Sequence, residues 1–190
     1  MKQRFVPSTR RPTAQELRDA NDRAIPILIA TNLDVLFCGI NPGLYSGATG
    51  HHFARPGNRF WPALFAGGFT PRILKPYEER ELLKYGCGIT NFINRTTATA
   101  AELSDDEIRT GTRKLVQTVT KYKPKTLAIL GVTTYRIGFR DPKARLGEQT
   151  QTIGDTLVWV LPNPSGLNAH YTAASLGKLF SELRAAVGSI

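Results

Sequence analysis

Asn41 stands in Gly39-Ile40-Asn41-Pro42-Gly43-Leu44, where a mostly apolar run ends on glycine and turns. Its carboxamide offers one carbonyl acceptor and two N–H donors. Unlike a carboxylate it cannot take a proton, but it can hold and orient a water molecule. Such a group suffices for hydrolysis at a sugar carbon only where the bond to the leaving group breaks mostly before water attacks, through an oxocarbenium-like state. Catalysis then rests on positioning and on stabilising the departing group as an anion. Pro42 fixes the adjoining backbone, and Gly43 leaves no side chain beside the pocket. The competing reading makes Asn41 a turn cap.

Two further segments carry chemistry. Gly50-His51-His52-Phe53-Ala54-Arg55-Pro56-Gly57-Asn58-Arg59-Phe60-Trp61 follows closely, and Pro162-Asn163-Pro164-Ser165-Gly166-Leu167 lies near the other end. Phe53 offers the flat π-face on which an unstacked base can lie. In the second segment small residues let the backbone approach a phosphate, to which Ser165 and nearby N–H groups can donate. Leu167 is an apolar side chain on a polar loop, built either as a wedge into a base stack or as an inward-packing anchor.

With Gly88-Ile89-Thr90-Asn91-Phe92 and Arg95-Thr96-Thr97 between them, these motifs make the chain from about Asp34 onward resemble the mismatch-specific uracil-DNA and thymine-DNA glycosylases of the uracil-DNA glycosylase superfamily. The resemblance implies a monomeric, monofunctional enzyme without cofactor or metal. It would hydrolyse the N-glycosidic bond of uracil, or of another mismatched or damaged pyrimidine, flipped out of double-stranded DNA in base excision repair. It implies that Asn41 positions the water, that Ile40, Gly43 and Ser46 line the base pocket, and that Phe53 stacks on the extruded base. His52 falls at the sugar or phosphate, or else on the surface. Asn91 reads the pyrimidine's polar edge, or is a turn residue. Asn163, Pro164, Ser165, Gly166 and Leu167 face the DNA. Asn94 departs from the pattern, because relatives often carry an acid there, so no carboxylate is assigned as general base.

The elements that must position these residues read as alternating strands and helices. Asp34–Gly39, Cys87–Phe92, Thr126–Leu130 and Leu157–Leu161 are β-prone apolar runs. Between them lie helical patterns at 59–66, 76–85, 104–122 and 133–139, with a last one at 175–187. Thr13/Glu16 and Ser104/Glu107 have capping-box spacing. Residues 41–58 read as a long structureless loop. The fold expected is three-layer α/β/α around a four-stranded, largely parallel sheet, uracil-DNA glycosylase-like, as one domain over 13–190 behind a flexible basic arm, 1–12. In such sheets ligands bind beyond the carboxyl ends of the strands, where Asn41 and Asn163 both fall.

Composition agrees. The 25 Lys and Arg against 15 Asp and Glu give a net charge of +10, which favours an anionic partner, nucleic acid first. Cys38 and Cys87 sit in strand-like runs and read as buried free thiols, too few for a four-cysteine zinc or iron–sulfur site. No signal-peptide pattern opens the chain, and the longest apolar stretch, Ala24–Ala30, is broken by Pro26; a cytoplasmic protein is expected. Two rivals stand beside the enzyme: a non-catalytic DNA-binding module, and a nucleotide-binding α/β enzyme. The second is disfavoured because no Walker motif is present and no helix is read directly after the first strand.

Overall fold

The computed structural model describes residues 10–188. Among them, five strands form one sheet in the order β2-β1-β3-β5-β4: β1 (Val35–Gly39), β2 (Cys87–Asn91), β3 (Thr126–Leu130), β4 (Gly147–Glu148) and β5 (Leu157–Leu161). The four strands expected from sequence are all there and mutually parallel. The fifth is a correction to the four-stranded sheet: β4 pairs antiparallel at the edge of β5. Two residues carry no readable alternation, and Gly147 adopts φ 100°, so nothing in the local sequence marks a strand.

The period-two pattern of β1 sorts its side chains to two faces. Val35 and Phe37 join one core with α3 (Phe60–Ala66) and α6 (Ala173–Val187), where Phe60, Leu64, Leu176 and Phe180 are buried. Leu36 and Cys38 join a second core under α4 (Asp105–Tyr122) and α5 (Val132–Phe139), with Leu115, Val119 and Tyr135. This is the expected three-layer arrangement. Cys87 belongs to the first core and Cys38 to the second, both as free buried thiols.

Local capping rules place several helix starts. Thr13 caps α1 (Ala14–Arg18) and Ser104 caps α4, each with the reciprocal glutamate three residues on. α6 begins at Ala173 rather than at Ser175, because Thr172 is the cap and Ser175 answers it. The expected helix over 76–85 is a 3₁₀-helix, Pro76–Tyr85. The structureless loop over 41–58 is also corrected: it contains α2 (Leu44–Thr49), started at Gly43 and stopped by Gly50 in the left-handed region, φ 75°. Composition rich in glycine hid a helix that glycines bound at both ends. Of the expected arm, residues 1–9 lie outside the described residues, while the Arg10 guanidinium pairs with Glu16 on α1.

Candidate active site

Because β1, β2, β3 and β5 are parallel, their carboxyl ends share one edge, and a cavity of about 710 Å³ opens there. Of the residues expected at the site, Ile40, Asn41, Gly43, Ser46 and His52 line it. So do Phe53, Asn91, Asn163, Ser165 and Leu167. Pro164 and Gly166 do not. Pro164 is buried and its carbonyl accepts from Arg59 N–H at 2.9 Å. Gly166 allows close packing, since a Cβ there would stand 2.6 Å from the Gly57 carbonyl oxygen.

The Asn41 amide is held in one orientation. Its Nδ2 donates to Thr97 Oγ1 at 2.7 Å, to Arg95 O at 3.1 Å and to Pro42 O at 3.2 Å. Thr97 Oγ1 spends its own proton on Thr99 O at 2.7 Å, so it can only accept from Asn41. With carbonyls and this acceptor all on the nitrogen side, Oδ1 is the atom left for a ligand. The backbone that supplies these acceptors is pinned by Arg95, which donates to Glu107 at 2.8 Å and Asp22 at 3.2 Å. That contact, together with the Ser104 N–H, holds the Glu107 carboxyl down at about 2.

Among the described residues, no Asp or Glu lines the cavity. Asn94 is exposed and lies outside its wall. With no carboxylate in that lining, the amide groups of the site position and stabilise but cannot take a proton.

Asn91 is the last residue of β2, paired in register with Gly39, and so is not a turn residue. Its Nδ2 is buried without a partner among the described residues. A buried donor left unpaired costs about 1–3 kcal/mol, a cost that a ligand's acceptor relieves. The aromatic wall is Phe53, stacked on Phe60 with ring centroids 4.0 Å apart and 27° between planes. His52 is buried, which excludes its surface alternative; its Nε2 lies 3.0 Å from Pro26 O, and burial pushes its pKa below the usual histidine value. Ser46 is buried and its Oγ accepts from Ala54 N–H at 3.3 Å.

Leu167 is 72% exposed, the most exposed of the large apolar side chains among the described residues, so it does not pack inward. Its loop differs from expectation in one respect. Ser165 N–H is already bonded to Asn163 Oδ1 at 3.0 Å and Leu167 N–H to Ser165 Oγ at 3.3 Å, so these donors are used within the loop. Among the described residues the Ser165 hydroxyl only accepts, so its proton has no such commitment. Arg59 supports the loop from beneath, donating to Asn168 O at 2.8 Å and to Ser165 O at 3.3 Å.

The family model of the uracil DNA glycosylase superfamily matches residues 26–186. The chain belongs to that superfamily. Its members are DNA glycosylases, hydrolases that act on DNA, and the matched span takes in every strand and both loops that meet at the cavity. Membership removes the nucleotide-binding rival, although one reason given against that rival fails: a helix does begin directly after β1, at Leu44.

Sequence reading did not single out four residues that shape this superfamily site. Gly39 borders both Phe53 and Asn91. Thr97 orients Asn41, Arg59 props the Leu167 loop, and Glu79 holds the backbone at His52. Arg95-Thr96-Thr97 and Asn58-Arg59 were visible as motif segments, but their partners lie far off along the chain. Glu79 carried no signal beyond an acid in a helical pattern.

Proposed function

We propose that the chain is a monofunctional glycosylase that excises uracil, or another mismatched or damaged pyrimidine such as one opposite guanine, from double-stranded DNA. The observation that carries this reading is the Asn41 amide, locked with its oxygen left for a ligand, in a cavity whose lining includes no carboxylate among the described residues. Asn41 Oδ1 holds a water below the anomeric carbon. The C–N bond lengthens first, the base leaves as an anion, and the oriented water adds to the oxocarbenium-like sugar, its proton passing to solvent and the departed base anion taking one up in turn. Phe53 stacks on the extruded base, and the unpartnered Asn91 Nδ2 donates to a ring carbonyl oxygen, where negative charge grows as the bond breaks. Gly43 supports a permissive pocket, since a Cβ there would meet nothing within 4 Å.

The test is release of free base from duplexes bearing U·G, U·A and T·G pairs and from single-stranded uracil DNA, with abasic sites cleaved by alkali. Excision from U·G is expected, with weaker activity on thymine. Tight binding to U·G duplex with no release of base would favour the non-catalytic DNA-binding module instead.

Leu167 fits the wedge that fills the space left by the extruded base, and its burial in the stack offsets part of the extrusion cost at roughly 25 cal/mol per Å². Leu167→Ala is expected to slow excision most from U·A, less from U·G, and least from single strands, which have no stack to hold open. Equal losses on all three substrates would return Leu167 to a structural role.

A further inference from the structure

Phe53 is held in a backbone conformation that an L residue keeps only where its surroundings over-determine it: φ is 52°, in the left-handed region. One carboxylate does most of this. Glu79, on the 3₁₀-helix Pro76–Tyr85, accepts the His52 backbone N–H through Oε2 at 2.8 Å and meets His51 Nδ1 through Oε1 at 3.2 Å. His51 Nε2 is buried with no partner among the described residues, so the ring proton belongs on Nδ1, where it is donated to Glu79. His52 is tied at its far end as well, its Nε2 donating to Pro26 O at 3.0 Å. Just past the aromatic residue, Ala54 N–H is held by Ser46 Oγ at 3.3 Å. The backbone is thus fixed on both sides of Phe53, and the ring is set against Phe60 on the cavity wall.

Both oxygens of Glu79 are engaged with two consecutive residues of a loop, and Glu79 itself is not part of the cavity wall. We propose that Glu79 is a positioning residue for base stacking: by clamping His51 and His52 it fixes the angle at which Phe53 presents its ring to the extruded base. This rests on the reading of Phe53 as the stacking residue.

The experiment is a double-mutant cycle on Glu79 and Phe53, read as single-turnover excision from a U·G duplex, with duplex affinity and thermal melting measured on each variant. Glu79→Ala is expected to slow excision by roughly ten- to a hundredfold, as a misplaced stacking ring would, with duplex affinity within about threefold of wild type. Glu79→Gln recovers most of the rate, because its amide oxygen still accepts from His52 N–H. In a Phe53→Ala background, Glu79→Ala is expected to cost less than about a further twofold, since two residues that act through one ring are not additive. If Phe53→Ala is slow but Glu79→Ala is not, or if the losses multiply in full, the clamp is wrong and the stacking reading stands. If Phe53→Ala is as fast as wild type, the stacking reading fails and takes the clamp with it. Should Glu79→Ala not fold, His51→Leu, which removes one of the two contacts, replaces it in the same cycle and decides in the same way.

Discussion

Asn41→Ala is expected to lower the single-turnover excision rate by about 10²–10³ while the protein folds and binds DNA nearly as before, the size of loss seen when one well-placed polar group that stabilises developing charge is removed. The structure gives two reasons for so large an effect. Among the described residues no lining carboxylate stands ready to take over the orientation of water. The amide is also set before any substrate arrives, with Nδ2 committed to Thr97, Arg95 and Pro42, so its oxygen pays no reorganisation during the reaction. The same contacts forecast that Asn41→Asp is no substitute despite its shape. Its second oxygen would face two backbone carbonyls and a hydroxyl whose proton is already given to Thr99, so the site would repel the ionised form. Both variants are to be measured on a U·G duplex at saturating enzyme, with affinity measured separately. An Asn41→Ala rate within about threefold of wild type would remove Asn41 from the chemistry.

The parts of this fold that were legible in the sequence are those governed by local rules. Four mostly apolar runs of five or six residues contain the four parallel strands, because strands buried on both faces leave a near-continuous apolar signature. Thr13 and Ser104 announced their helices because a capping box is complete within four residues. The loops bearing Asn41 and Asn163 met at one edge because parallel strands leave them no other arrangement. What could not be read depends on contacts between distant residues. The Thr97 hydroxyl reaches Asn41 across 56 positions and Arg59 reaches Ser165 across 106, and neither pairing leaves a mark at either position. Glu79 reaches His52 across 27. The donors of the Asn163–Leu167 loop show the opposite error. Each N–H looked available to a phosphate in a one-dimensional reading, whereas folding of the loop had already spent those of Ser165 and Leu167.

Gly39→Ala, the addition of one methyl group, is expected to cost about 10² in excision rate, the penalty of moving aligned groups by roughly 1 Å. Gly39 closes β1 opposite Asn91. A Cβ there would stand 2.6 Å from Asn91 Oδ1 and 3.3 Å from Phe53 Cζ. The first distance is one that no real Cβ contact sustains, so the Asn91 carboxamide must retreat by most of an ångström. The second is tight, and Phe53 has little room to yield because its other neighbour, Phe60, is fully buried at 4.0 Å. One substitution therefore displaces both groups assigned to the base, its hydrogen-bond donor and its stacking face, while Asn41 keeps all three of its own contacts. That separation makes the result diagnostic. In an Asn91→Ala background the closest clash is gone, and Gly39→Ala should then add only a small further loss through Phe53, whereas a general defect in strand packing would add the same loss in either background. Single-turnover rates of the two single variants and the double variant, with melting temperatures beside them, decide it. A Gly39→Ala enzyme with the wild-type rate would show that neither Asn91 nor Phe53 touches the base.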